Sequence, residues 1–254
     1  MKNTIVVNLI GGQGAGKSTM MAGLFSWLKW NGVDCEMCTE FAKDLVWEGR
    51  HETFADQIYI FGKQNHKLFR CNGKVDVVIT DVALPMYIAY NNYYGSRNEA
   101  FNSAYNSLVM EEFNSYYNLN IYINRKKPYN PNGRNETEEQ AKEFDKLFLK
   151  VLEDNNINYY TYDGVEKSIP EIGKVVIKRL DAMKSDWTKE DKKFASELWN
   201  EGYVYIKRTD FGTVKAFDNR NPSMNKKGCT MIELEEFGKL KMNEIVNLGD
   251  IING

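Results

Sequence analysis

The residues Gly11-Gly12-Gln13-Gly14-Ala15-Gly16-Lys17-Ser18 satisfy the pattern G-x-x-x-x-G-K-[ST] in full. Glycines at this spacing let the backbone curl until successive N–H groups point inward. A helix starting at Lys17 would add the partial positive charge of its N-terminus. Such a cradle fits the phosphates of a nucleotide. Lys17 would bridge the β- and γ-phosphates, the Ser18 hydroxyl would ligate Mg²⁺, and Thr19 would reach the α-phosphate.

A phosphate-binding loop of this kind needs a carboxylate at the end of a neighbouring strand to hold the magnesium shell. Asp81, just past the strand-like run Val75-Asp76-Val77-Val78-Ile79-Thr80, supplies it. The next residue is Val82, where ATP-driven motors place a water-activating Glu, and no guanine-reading N/T-K-x-D loop occurs. These features favour phosphoryl transfer to a bound hydroxyl over hydrolysis. Glu40 ends the second strand-like run, at the carboxyl edge where open α/β sheets bind ligands. It is the expected general base or hydroxyl acceptor, and the alternative is a solvated carboxylate at a helix start. On the following helix Asp56 and Gln64 stand about two turns apart. They either line the acceptor pocket or form its polar surface. The basic stretch 125–134 reads as a lid loop that carries Arg125 and Arg134 to the γ-phosphate, or else as a solvated charged loop.

The elements that must position these groups follow from the apolar pattern. Strands are expected at 4–10, 34–38, 75–80, 119–123 and 159–162, and helices at 17–30, 56–69, 99–116, 136–153 and 170–183. Val- and Ile-rich strands alternating with amphipathic helices imply a parallel sheet covered on both faces. The 254 residues are 43% hydrophobic and 13% aromatic, enough for a sizeable core and against a disordered chain. With 33 basic and 35 acidic side chains, no global basic field is available to attract nucleic acid, so any such contact must be local. No apolar run reaches the roughly 20 residues of a membrane span. The start Met1-Lys2-Asn3-Thr4 carries no cleavable-signal pattern, and the expected location is the cytoplasm. Cys35 and Cys38 have C-x-x-C spacing, but in a strand they point to opposite faces, so with Cys71 and Cys229 they read as reduced, mostly buried thiols.

After residue 184 the rhythm changes. A helix capped by Thr188 and carrying Phe194, Ala195, Leu198 and Trp199 on one face is followed by a hairpin over 203–217. A P-loop domain at 1–184 and a small α+β module at 185–254 are therefore expected. Within 203–229, Lys207, Arg208, Lys215, Arg220, Lys226 and Lys227 interleave with Tyr203, Tyr205, Phe211 and Phe217. This patch would either hold DNA or pack as a half-buried hairpin. Asp210-Phe211-Gly212 reads as its turn.

Taken together, Gly11–Ser18, Thr39-Glu40-Phe41-Ala42-Lys43, the helix from Asp56 to Gln64, Val77–Asp81 and the loop ending Gly133-Arg134 resemble the P-loop kinase branch typified by the nicotinamide riboside kinase domain of NadR-type proteins. The resemblance covers about 1–182 and extends to bacteriophage proteins of this branch, some of which phosphorylate hydroxymethyl groups on DNA bases. It implies a five-stranded parallel P-loop sheet, ATP and Mg²⁺ as cofactors, Glu40 near the acceptor and Arg134 in the lid. The expected activity is transfer of phosphate to a hydroxyl of a nucleoside- or nucleotide-like acceptor. The alternatives are a kinase acting on nucleic acid through the C-terminal module, and a nucleotide-driven ATPase or regulatory protein.

Overall fold

The computed structural model describes residues 4–95, 97–132, 134, 136–184, 187, 189–208, 213–218, 230–233, 240 and 245–253. The chain forms two compact units, Met1–Val176 and Ile177–Gly254. The break falls inside one helix, Ser168–Lys184.

In the first unit, β1 (Ile5–Ile10), β2 (Cys35–Cys38), β3 (Val77–Thr80), β4 (Tyr117–Asn124) and β5 (Tyr160–Asp163) make one sheet in the order β2-β3-β1-β4-β5. Every pairing is parallel. The connecting helices are α1 (Lys17–Trp30), α2 (Phe41–Trp47), α3 (Gln57–Phe69), α4 (Met86–Tyr90), α5 (Glu99–Asn114), α6 (Glu138–Asp154) and α7 (Ser168–Lys184). Alternate strand residues serve opposite faces. Val6, Ile10, Cys38 and Val78 join the core built with Ile60 and Phe61 of α3, Val109 of α5 and Phe144 and Phe148 of α6. On the other face the Cys35 thiol lies 3.9 Å from the Phe25 carbonyl of α1. There α7 approaches α1 closely: a Cβ on Gly173 would stand 2.2 Å from the Trp27 ring, and one on Gly23 would stand 2.4 Å from Ile169.

The expected architecture holds, and its bounds shift for local reasons. β4 begins two residues early because Tyr117 and Asn118 pair with Ile5 and Val6. Its polar residues hide that in the sequence. They join a ladder in which the buried Asn8 Nδ2 donates to the Oδ1 of half-buried Asn118 at 2.9 Å and of buried Asn120 at 3.0 Å. α6 starts at 138, not 136, because Thr137 is its N-cap in a reciprocal capping box with Gln140. Four short elements escape the pattern altogether: α2, a 3-10 turn His51–Ala55, α4, and a π-helical turn Asn91–Gly95 that continues α4. They are too short for a helical period to register.

The second unit holds α8 (Lys189–Asn200), β6 (Tyr205–Arg208), β7 (Thr213–Phe217), β8 (Thr230–Glu233), β9 (Ile245–Asn247) and α9 (Leu248–Asn253). Its antiparallel sheet has the order β8-β7-β6-β9. The expected hairpin is β6–β7, with Tyr205 paired to Phe217 and Lys207 to Lys215. The expected cap Thr188, the turn 209–212, and Arg220, Lys226, Lys227 and Cys229 lie outside the described residues. Ile206, Val214 and Ala216 pack with Ala195, Leu198, Leu248 and Ile251 inside the unit. Arg208 is 2% exposed and donates to the Leu240 carbonyl at 2.9 Å, and Phe217 is 1% exposed. Neither offers its side chain to a ligand at the surface, which removes two members of the expected basic-aromatic patch. Among the described residues no helix is long and apolar enough to cross a membrane.

Candidate functional site

Strand order brings the chemistry together. β1 lies between β3 and β4, with β2 beyond β3. The segments leaving these four strands at their carboxyl ends are therefore neighbours: the glycine loop after β1, Asp81 after β3, Glu40 after β2 and Arg125 after β4.

The loop has the conformation its glycines permit. Gly14 and Gly16 have φ of 78° and 102°, in the left-handed region, and Gly16 caps α1. Lys17 Nζ donates to the carbonyls of Gly11 at 2.6 Å and Gly12 at 3.0 Å. Burial lowers the pKa of this ammonium, against the opposing pull of the Glu40, Asp81 and Asp145 carboxylates. Ser18 Oγ donates to Asp81 Oδ2 at 2.6 Å, and the Glu40 backbone N–H donates to Asp81 Oδ1 at 2.9 Å. Asp81 is buried, whereas Ser18 and Thr19 are exposed. Adjacent hydroxyl and carboxylate oxygens beside a phosphate cradle suit Mg²⁺, a hard cation that takes its remaining ligands from water and phosphate.

Gln13, Gly14, Gly16, Lys17, Ser18 and Thr19 form one wall of a cavity of about 120 Å³. Glu40 lines it too, from the N-cap position of α2, where its side chain makes no capping bond. Burial, and then the Asp81 carboxylate, push the Glu40 pKa up to about 7, with Lys17 pulling the other way. The rest of the lining includes Val46, Phe54, Gln57, Ile60, Tyr87 and Tyr90.

The other expected site residues divide. Arg134 lines the cavity and stacks on Tyr129, its guanidinium carbon 5.2 Å from the ring centroid. Gly133 lies outside the described residues. Arg125 does not line the cavity. Its guanidinium pairs with Asp145 Oδ2 at 2.9 Å and donates to the Gln13 carbonyl at 2.6 Å, so it braces the loop from behind. Asp56 is the N-cap of α3 and accepts from the Tyr59 backbone N–H at 3.2 Å. It does not share a helix face with Gln64, because it precedes the helix. Gln64 is fully buried: Oε1 accepts from the Phe41 N–H at 2.9 Å, and Nε2 lies 3.4 Å from both Cys38 Sγ and Thr80 Oγ1. It therefore fixes the start of α2 behind Glu40 and does not face the cavity. Cys35 and Cys38 are free and buried, their thiols pushed up to about 11 and about 12 by burial.

Several residues of the site had not been singled out. Asp145 of α6 accepts from the Gly12 N–H and holds Arg125, and no local pattern announces it. Gly164 follows β5, and a Cβ there would stand 2.5 Å from the Ala15 carbonyl. Glu136, buried, lines the cavity, and its Oε1 accepts from the Tyr94 hydroxyl at 2.7 Å. Tyr87 and Tyr90 also line the cavity, and their i, i+3 spacing on α4 was a readable signal. Tyr90 Oη accepts from Gln13 Nε2 at 3.0 Å, and its ring packs on Phe144 with centroids 5.0 Å apart.

No curated protein matches the chain in sequence. Among solved structures, one titled as the NadR protein in complex with NR is similar over 68% of this chain, with a TM-score of 0.53 and 14% identity. The chain spans 51% of that protein's length, and the likeness is one of fold. A thymidylate kinase from Candida albicans overlaps more loosely, over 71% of this chain and 91% of its own, with a TM-score of 0.42 and 12% identity. Residues 6–167, which contain all five parallel strands apart from the first residue of β1, match the model of a family described as AAA domain. The match spans more than half of the sequence, and the chain belongs to the AAA-domain family.

Proposed function

We propose that the protein is an ATP- and Mg²⁺-dependent phosphotransferase that phosphorylates a hydroxyl of a nucleoside- or nucleotide-like acceptor. One observation carries this reading: Glu40, its pKa raised to about 7, lines the same part-aromatic cavity as Lys17 and Ser18. A carboxylate poised near neutrality suits a general base, and sharing one cavity with the loop puts it where an acceptor hydroxyl would meet the γ-phosphate. The fold shared with the NadR structure supports the same reading.

The glycine loop would hold the triphosphate, and Lys17 would donate to β- and γ-phosphate oxygens instead of the Gly11 and Gly12 carbonyls. Mg²⁺, held by Ser18 with Asp81 beside it, would neutralise phosphate charge. The acceptor hydroxyl passes its proton to the Glu40 carboxylate as its oxygen bonds to the γ-phosphorus. The bond from that phosphorus to the β,γ-bridging oxygen breaks, and ADP leaves with the electron pair. Arg134, on the loop that borders the cavity, would place positive charge against the transferring group. Arg125 keeps the loop in shape.

Labelled ATP supplied with nucleosides, nucleotides and plain or hydroxymethylated oligonucleotides tests this reading. Label on a nucleoside or nucleotide is the expected result. Label confined to oligonucleotides would move the acceptor to DNA, and free phosphate unaffected by every acceptor would make the protein an ATPase.

A further inference from the structure

Three residues of the cavity lining carry a buried polar atom without a partner among the described residues: Gln13 on the glycine loop, Gln57 on α3 and Tyr87 on α4. Gln57 is 4% exposed and Tyr87 is 1% exposed, yet Gln57 Oε1 and Tyr87 Oη have no hydrogen-bond partner among the described residues. Buried polar groups in folded proteins are almost always paired, so these orphans around one cavity point to a ligand. Gln13 Oε1 lies on the glycine-loop side, and the Gln57 and Tyr87 pair on α3 and α4. The amide orientation of Gln57 is settled locally. Its Nε2 donates to the Phe54 carbonyl at 2.8 Å, and a flipped amide would set two oxygens against each other. The atom left without a partner is therefore an acceptor. Tyr87 Oη can donate as well as accept, and burial holds its pKa well above the ordinary tyrosine value, so it keeps its proton.

The surroundings narrow what these atoms can read. Phe54 and Tyr90 supply aromatic surface to the same lining. The cations of the lining are Lys17 on the glycine loop, Lys43 on the exposed side of α2 and Arg134 on the basic loop. None is on α3 or α4, and the lining's two carboxylates are Glu40 and Glu136. That side of the cavity suits an uncharged flat ring and does not suit a phosphate.

We propose that Gln57 and Tyr87 form a recognition subsite for the edge of an uncharged heterocycle, with an N–H of the ring donated to Gln57 Oε1 and its neighbouring polar atom bonded to Tyr87 Oη. The inference rests on reading this cavity as the acceptor side of a phosphotransferase. It makes the acceptor a free nucleoside whose base enters between Phe54 and Tyr90 and whose sugar hydroxyl faces the glycine loop.

Calorimetric titration of the full chain with uridine, thymidine, inosine and guanosine, each beside an analogue methylated on its ring N–H (N3 of the pyrimidines, N1 of the purines), reads binding apart from transfer. At least one nucleoside should bind, and its methylated analogue should bind roughly tenfold or more weakly, because a site built to bond an N–H rejects a ligand lacking it. Gln57→Leu should erase that discrimination. Tyr87→Phe, which deletes one unpartnered oxygen, should weaken the preferred nucleoside by roughly tenfold while the protein melts as the parent does. Failure of every nucleoside to bind, indifference to methylation, or full affinity in a natively melting Tyr87→Phe protein would overturn the subsite. Binding with the expected pattern but without label transfer from ATP would support the subsite and overturn the phosphotransferase reading instead.

Discussion

Arg125 and Asp145 close a clasp behind the glycine loop. The guanidinium reaches Asp145 Oδ2 at 2.9 Å and the Gln13 carbonyl at 2.6 Å, while the other oxygen of Asp145 accepts from the Gly12 N–H. The side chains of the pair are only 14% and 19% exposed. One residue from the end of β4 and one from α6 thus hold two consecutive residues of the loop, Gly12 by its N–H and Gln13 by its carbonyl.

Removing one half of this clasp leaves the other charge poorly solvated. Arg125→Ala is expected to destabilise the protein by about 2–4 kcal/mol and to raise the KM for ATP more than it lowers kcat. Arg134→Ala, whose side chain stacks on Tyr129 beside the cavity, should do the reverse, lowering kcat with little change in melting. Urea unfolding and steady-state kinetics on the two variants separate a brace from a lid residue.

Lys17→Met should abolish transfer without weakening the fold. Burial already disfavours the Lys17 ammonium, as its lowered pKa shows, so an apolar chain of similar length loses little. Unchanged or raised melting with transfer down by roughly 1000-fold is the expected pair of results. Near-normal turnover would overturn the role.

Glu40 sets a pH dependence. Its pKa in the fold, about 7, lies above the ordinary carboxylate value of 4.5, so between these values the folded protein binds more protons than the unfolded chain. Stability contributed through this group is full below about pH 4.5 and declines as pH rises towards 7. Allowing for partial exposure, the decline is roughly 1–3 kcal/mol. Glu40→Gln should flatten it, giving a variant more stable than the parent at pH 8 and transferring phosphate about 100-fold more slowly. Urea unfolding at pH 5 and pH 8, without nucleotide or metal, checks the sign.

Gly12 occupies a variable position of the loop motif, yet a Cβ there would stand 2.2 Å from the Ala141 carbonyl and 2.7 Å from Asp145 Oδ1. Gly12→Ala should therefore push α6 away from the loop and lower both ATP affinity and melting, by about 2 kcal/mol or more. Gly32→Ala is the contrast. It meets no atom within 4 Å, and its cost is confined to the positive φ of 76°.

How far the site can be read along the chain depends on the range of the forces involved. The glycine loop with Lys17 and Ser18 is legible because strand, turn and helix N-terminus are adjacent in sequence. Asp81 is legible as a strand-end carboxylate, whereas its bond to Ser18 joins positions 63 apart. Glu40 is legible as a strand-end carboxylate, but its raised pKa is not, since that comes from burial beside Asp81. Asp56 and Gln64 look alike along the chain, and one caps a helix while the other buries its amide under α2. Arg125 looks like a lid residue because Asp145, which claims it, lies 20 positions later.

By itself, then, the sequence determined the alternation of strands and helices, the glycine loop at a helix start and a carboxylate at the end of β3. Each of these depends on period and on neighbours within a few residues. Only the tertiary structure decided which charges are spent on one another, why Gly12 must be glycine, and which buried atoms of the cavity-lining residues have no partner among the described residues. Those outcomes depend on β1 lying between β3 and β4 and on α4 and α6 packing over them. Contacts between segments so far apart in the chain leave no period in the sequence.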